Sequence, residues 1–515
     1  MESVSAIEES IPDDEREALE TIVHGAVVTS GGVSVQRLLS TATEFVLARG
    51  LSPVTYGVYA LAWRIAQLLI RLVTFGSVPT LQRYLPAYGD DPDSQSRVTG
   101  LAFATTVGFG ALFAIGVWLL APWINVLTVD QPAFPPTMGL FGVLVGLFGL
   151  VMICAAIFRA VGSARGEVLF NKLLRPAARF GGAVSALGLG YSAVGVAGGI
   201  VVAMALLVVV GIPTTVWATG IRPTLRGARS EVRRFYDHAG PVAMSSLGKM
   251  FQNRIDLLLV GALLTAVAAG IYNVVLVLIS IAWIPLMSFN QLLPPVASEL
   301  YANDDLATLN AVYASATRLI VTTVLPILAI QAVFGRTLLG LFGEPFVRGY
   351  VPLVLYLGGV FVGSAVGATG WLLMMTDHQY ARMALDWLLA VLNVVLTYTF
   401  IQAFGLAGAA LGTSLAIAVQ NGLQVILLRR FEGLWPFDRT FLKPIAAGIV
   451  TMGVLLAIRT VIGGGLAVVL GVVVGLLTYL GTLVLLGIDP RDRLVVRSLA
   501  RRYRETIAES VAFGE

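Results

Sequence analysis

"YGVYALAWRIAQLLIRLVTFG", residues 56–76, decides how the chain is read. The stretch is long and apolar enough to cross a bilayer as one helix, which takes about 20 residues. Yet it carries Arg64 and Arg71. Seven residues is close to two helical turns, so both guanidinium groups point the same way, roughly 10 Å apart along the axis. Each costs about 2.5–3.5 kcal/mol at mid-helix on the insertion scale. Neither is near enough to a helix end for its head to reach the interface. Lipid is therefore not what the pair faces.

The same texture runs through all 515 residues. The chain is 57% hydrophobic and 12% charged, with a mean hydropathy of +0.85, which excludes a soluble globular protein. Runs of roughly 20 apolar residues recur, and strand alternation is absent, so a helical bundle is expected rather than a barrel. Cys154 is the one cysteine, a buried apolar thiol by expectation, and three scattered histidines offer no metal cluster. The opening "MESVSAIEESIPDDEREALETI" is acidic and lacks the basic and apolar regions of a signal peptide, so it reads as a cytosolic tail. Three lysines (Lys172, Lys249 and Lys443) against 31 arginines lean towards a salt-adapted, archaeal source.

Fourteen transmembrane helices are expected, near 27–49, 56–82, 99–121, 137–160, 168–190, 195–219, 239–262, 267–291, 309–333, 351–375, 380–401, 405–428, 441–461 and 464–487. An even number puts both termini on one side. Basic residues sort accordingly: 24 belong to the tails and even-numbered connections, and four (Arg49, Arg336, Arg348 and Arg459) to the odd ones. By the positive-inside rule both termini are cytosolic in a multi-pass protein of the cell membrane.

An internal repeat is also legible. At an offset of 212, Arg37 falls on Lys249, Glu44 on Asp256 and Ser34 on Ser246. "YGVY" matches "AGIY", "GDD" ending at Asp91 matches "NDD" ending at Asp305, and "GVAGG" from Gly195 matches "GLAGA" from Gly405. Helices 1–6 and 7–12 thus read as two copies that both start in the cytosol, parallel lobes around a central cavity, with two helices appended. The expected division is an acidic tail (1–24), an N-lobe (25–222), a C-lobe (235–430), helices 13–14 (440–488) and a basic tail (489–515).

With fourteen helices, two six-helix lobes and a first unit reading "ARGLSPVTYGVYALAWRIAQLL…VPTLQRYLP", the chain resembles the multidrug/oligosaccharidyl-lipid/polysaccharide exporter superfamily over about residues 24–490. Within it, the chain looks most like the polysaccharide and oligosaccharide flippases, including archaeal glycan flippases. That resemblance implies alternating-access transfer of a lipid-linked oligosaccharide, on dolichol- or polyprenyl-phosphate, from the cytosolic to the external leaflet. Surface polysaccharide, S-layer or protein N-glycan assembly would be served. Membrane lipids and glycan-assembly enzymes are the implied partners, with no nucleic acid. A cation-coupled drug or small-molecule exporter shares the fold, and a membrane-bound glycan polymerase or ligase is a further alternative. The longest connection is roughly 20 residues, and no nucleotide fingerprint is present, so an enzyme or ATP-driven pump is not expected. Asp90, Asp91, Asp304 and Asp305 repeat in both lobes and read as caps and turns rather than a catalytic pair.

The candidate site is the charge inside the spans. Six cations (Arg37, Arg64, Arg71, Lys249, Arg254 and Arg318) outnumber three anions, Glu44, Asp256 and Asp386. Lys172, Arg175 and Arg179, at i, i+3 and i+7, form a candidate vestibule at the cytosolic mouth. Arginine suits a phosphate-bearing substrate because its planar fork binds oxyanions bidentately and keeps its charge. Arg37–Glu44 and Lys249–Asp256 are alternatively bracing ion pairs, and the acids alternatively bind Na⁺ or H⁺; no other cofactor is implied. Arg64 and Arg71 correspond to Val277 and Ile284 in the second copy, so only the first lobe carries that pair. The aliphatic "LAVVLGVVVGLLTYLGTLVLLG" of helix 14 reads as lipid-facing, or as part of a groove for an isoprenoid tail.

Overall fold

The computed structural model describes residues 35–89, 91–251, 255–290, 293–462 and 464–487, with the side chains of 164, 165 and 245–251 excepted. The two tails, Asp90 and Arg254 lie outside the described residues, as does the side chain of Lys249. Among the described residues the chain is helical without a strand, and each expected span falls on helix. Nine helices among the described residues are long and apolar enough to cross a membrane. Several of the other expected spans are interrupted, and the interruptions have local causes.

Helix α1 covers residues 35–50. Ser52 then caps α2 (Pro53–Ile70), its hydroxyl accepting from the Thr55 N–H at 3.2 Å, with Pro53 in the first turn. Arg71 ends α2, and residues 71–76 form turns before α3 (Ser77–Ala87). Phe75 and Gly76 both have left-handed φ, 43° and 74°. Only glycine fits position 76, because a Cβ there would come 2.2 Å from the Ala239 carbonyl oxygen. Next come α4 (Pro92–Val126) and α5 (Phe134–Ala160), then a π-helical segment (Leu169–Leu174) that leads into α6 (Arg175–Gly188) and α7 (Ala193–Thr219). Helix α5 is the most buried of the nine candidate spans and packs against α2, α3, α4 and α7.

The second half repeats this plan with breaks of its own. It comprises α8 (Arg229–Phe251), α9 (Ile255–Leu263), α10 (Ala266–Ala282), α11 (Ile284–Phe289), α12 (Leu293–Ala302) and the 37-residue α13 (Leu306–Phe342). Then follow α14 (Tyr350–Ala365), α15 (Thr369–Met375), α16 (Gln379–Phe404), α17 (Leu406–Glu432), α18 (Leu442–Val461) and α19 (Gly464–Leu485). The turn between α14 and α15 holds Gly367 at φ 66°, and Pro285 follows the break between α10 and α11. Helices α18 and α19 pack on each other and on α13.

The halves meet chiefly where α2 packs on α10. Backbone touches backbone there. A Cβ on Gly57 would lie 1.7 Å from the Ala266 carbonyl oxygen and one on Gly270 3.2 Å from the Gly57 Cα, so the glycines matched in "YGVY" and "AGIY" set the distance between the halves. The adjoining seam is filled by aromatic edges: Phe45 on Phe342 at 5.4 Å and Tyr56 on Phe346 at 5.5 Å. The two halves are in contact at this end.

Candidate functional site

Glu44 of α1 is buried, and its partners come from three other helices. Arg179 Nη2 of α6 stands 2.5 Å from Oε1. The Tyr56 hydroxyl of α2 donates to Oε2 at 2.9 Å. Asn273 Nδ2 of α10 donates to that oxygen at 3.1 Å and to the Tyr56 hydroxyl at 2.8 Å. Arg179 also donates to the Tyr59 hydroxyl at 2.7 Å, and its guanidinium lies 4.0 Å from the centroid of Trp63. A buried carboxylate is tolerable when a counter-charge and hydrogen bonds together replace water. Glu44 has both.

This corrects two expectations. The partner of Glu44 is Arg179 rather than Arg37 on its own helix, and Arg179 sits with the acid instead of in a vestibule. The expected i, i+3, i+7 face assumed 3.6 residues per turn throughout. The π segment holds more residues per turn, so Lys172 no longer shares a face with Arg179. Lys172 lies instead within the field of Glu167, Arg175, Arg159 and Arg37, and Arg175 stands 5.5 Å from the Phe148 ring centroid. Lys172 thus remains near both Arg175 and Arg37.

Two more residues find settings other than a cavity. Arg318 is buried and donates to Asp438 and, at 2.6 Å, to Thr440 Oγ1, so it anchors the approach to α18. Asp386 accepts from Arg382 Nε on the preceding turn at 2.9 Å and from Gln420 Nε2 at 2.8 Å. Asp256 is fully buried. Its Oδ2 accepts from the Tyr272 hydroxyl and its Oδ1 from the Leu257 N–H, both at 2.9 Å. The acid-plus-tyrosine arrangement around Glu44 therefore recurs in the second half. Its expected cations, Lys249 and Arg254, fall outside the described side chains.

Arg37 and Arg64 reach residues of the second half. Arg64 Nη1 donates to Gln67 Oε1 at 2.9 Å, and Nη2 reaches Asn273 Oδ1 at 3.5 Å. Asn273 therefore offers its N–H to the acid and its oxygen to the arginine. Arg37 Nη2 lies 3.5 Å from Met287 Sδ of α11, and Arg71 is exposed where α2 breaks. Two of the three contact the opposite half of the chain.

Sequence reasoning missed Tyr56, Tyr59 and Asn273. Their signal was available, since a polar side chain inside an apolar span has to find a partner in protein. The repeated aspartates behave as caps: Asp91 Oδ1 accepts from the Ser94 N–H at 3.1 Å and Asp305 Oδ1 from the Thr308 N–H at 3.0 Å. The Ser94 and Thr308 side chains, together with these backbone hydrogen bonds, hold both carboxyls below their ordinary value. Cys154 is buried, and among the described residues no three His, Cys, Asp or Glu side chains gather as metal ligands.

Among solved structures, the lipid II flippase MurJ in an inward closed conformation matches with a TM-score of 0.71 at 13% identity, over 88% of this chain and 98% of that one. An inward-facing multidrug resistance MATE family transporter of the MOP superfamily matches with a TM-score of 0.64 at 16% identity, over 79% and 98%. At these identities the likeness is one of fold. By sequence, the chain is 22% identical over 262 residues to the probable low-salt glycan biosynthesis flippase Agl15 of Haloferax volcanii, covering 50% of this chain and 54% of that relative. The match thus spans about half the relative's length. The family described as polysaccharide biosynthesis protein matches residues 46–347, more than half of the sequence, and the chain belongs to that family.

Proposed function

We propose that the chain is a flippase that moves a lipid-linked oligosaccharide, on a dolichol- or polyprenyl-phosphate carrier, from the cytosolic leaflet to the outer one. The observation that carries this reading is the set of arginines on α1 and α2, further along the bundle from the Gly57–Ala266 seam. Arg37 and Arg64 of the first half reach Met287 and Asn273 of the second, and Arg71 is exposed beside the break in α2. A guanidinium placed there meets a phosphate from the cytosolic side and feels the separation of the halves. Lys172 and Arg175 add positive charge on the approach.

Sidedness follows from the charge sorting, with both termini cytosolic and the Gly57–Ala266 seam external. The halves act as two lobes rocking about the seam. Glu44 with Arg179 braces the first lobe, and Asp256 is the acid available to a coupling Na⁺ or H⁺. Membership of the polysaccharide biosynthesis family and the similarity to a flippase assigned to glycan biosynthesis support the substrate class.

The test is transbilayer movement of a polyprenyl-phosphate oligosaccharide in proteoliposomes. Arg64→Gln/Arg71→Gln should abolish movement while the protein keeps its yield and melting temperature. Lysine at both positions should restore part of it, because charge persists and the bidentate fork does not. Full movement by the glutamine variant would refute the proposal. Efflux of cationic drugs without glycolipid movement would assign the fold to export instead.

A further inference from the structure

Arginine on the external side runs against the charge rule, and this chain has four there: Arg49, Arg336, Arg348 and Arg459. Two are accounted for by helix chemistry. Arg49 Nε donates to the Leu341 carbonyl at 2.6 Å, and Arg459 Nη1 to the Val333 carbonyl at 2.9 Å. Both carbonyls belong to α13: Leu341 lies in its last turn, where unpaired oxygens and the negative end of the helix dipole favour a cation, and Val333 lies about two and a half turns from the helix end.

Arg336 and Arg348 have no such duty. Among the described residues neither forms an ion pair or a side-chain hydrogen bond, although Glu344 lines the same cavity. Arg336 lies 4.9 Å from the ring centroid of Tyr350, whose hydroxyl donates to the Ala332 carbonyl at 3.0 Å and fixes the ring. The cavity is about 740 Å³, within the roughly 300–1,000 Å³ that holds small ligands. Pro53 and Val54 of α2 form one wall, and Val267 of α10 faces them. It therefore opens directly over the backbone seam between the halves. Two guanidiniums against one carboxylate leave it cationic.

We infer that this cavity is a second, external oxyanion site, in which Arg336 and Arg348 bind a phosphate, carboxylate or sulfate group at the mouth of the seam. The inference rests on the flippase reading for its sidedness, and on the cavity itself for its chemistry. Such an anion has two sources: an acidic group on the glycan being delivered, or the headgroup phosphate of an outer-leaflet lipid. In either case the ligand neutralises charges that otherwise flank the closed seam.

Arginine modification by phenylglyoxal, read residue by residue by mass spectrometry, tests this on the full chain in nanodiscs. In phosphatidylcholine discs, inorganic phosphate or glucuronate should slow modification of Arg336 and Arg348 severalfold. Arg233, whose side chain is 94% exposed, should be unaffected. Protection by phosphatidylglycerol without added anion assigns the site to a headgroup, and protection by the soluble anions alone assigns it to an acidic glycan. Arg64→Gln/Arg71→Gln should leave the protection unchanged, whatever it does to transport. No protection in any arm, or protection that disappears in that variant, overturns the inference and leaves the flippase reading standing.

Discussion

Replacing Arg179 with methionine isolates what the buried ion pair does. The two side chains are each 7% exposed, so solvent screens the pair little. Arg179→Met keeps most of the side-chain volume and leaves Glu44 with the Tyr56 and Asn273 donors but no counter-charge. Stranding one member of such a pair costs about 3–5 kcal/mol. The reverse change, Glu44→Gln, should cost less, because Arg179 keeps the Tyr59 hydroxyl and the face of Trp63. The double variant should be more stable than Arg179→Met alone, since no charge is left buried. Denaturant titration in mixed micelles, run as a double-mutant cycle, measures the coupling. If Arg179→Met lies within about 0.5 kcal/mol of the parent, or the double variant is the least stable of the set, Glu44 is not held as described.

Three further outcomes follow from the geometry. Gly57→Val cannot coexist with the Ala266 carbonyl, so it should hold the seam open; disulfide trapping between cysteines at Val54 and Val267 should fall relative to the parent, and unchanged trapping would refute the close approach. Arg318→Ala should loosen the approach to α18, seen as faster proteolysis or hydrogen exchange in residues 433–441, with glycolipid movement reduced less than in the Arg64/Arg71 variant. Asp91 and Asp305 titrate below the ordinary 3.8, which means their caps contribute stability above that pH and lose it as pH falls through the folded value. Exchange at the first turns of α4 and α13 should therefore rise on acidification, and Asn at both positions should remove the pH dependence while keeping the cap.

Much of the fold was legible because helical hydrophobicity is a local property. Helix α4 begins at its capping Asp91 and α13 at Asp305, where the repeat in sequence had placed equivalent turns. The interruptions were less legible. Nothing in "VLFNKLLRP" announces a π turn, and one such turn sent Arg179 to Glu44. Partner choice was hidden for a related reason: spacing along a helix gives the face of Glu44, whereas the tyrosines and Asn273 arrive from other helices. Its place within an apolar span groups Arg318 with the cavity cations, yet the acid that takes it, Asp438, comes from a connecting loop more than a hundred residues later.

Helix α13 runs 37 residues, roughly 55 Å at 1.5 Å per residue, against a hydrocarbon thickness of about 30 Å. α4, at 35 residues, is nearly as long and is capped in the same way. Each is a rod that overshoots the bilayer and amplifies small rotations. Pivoted at its middle, a rod of that length moves each end roughly 5 Å for a tilt of about 10°. The capped ends of α4 and α13 are consequently the places to attach paired spectroscopic labels. A rocking motion too slight to see at Asn273 would be written there as a distance change several times larger.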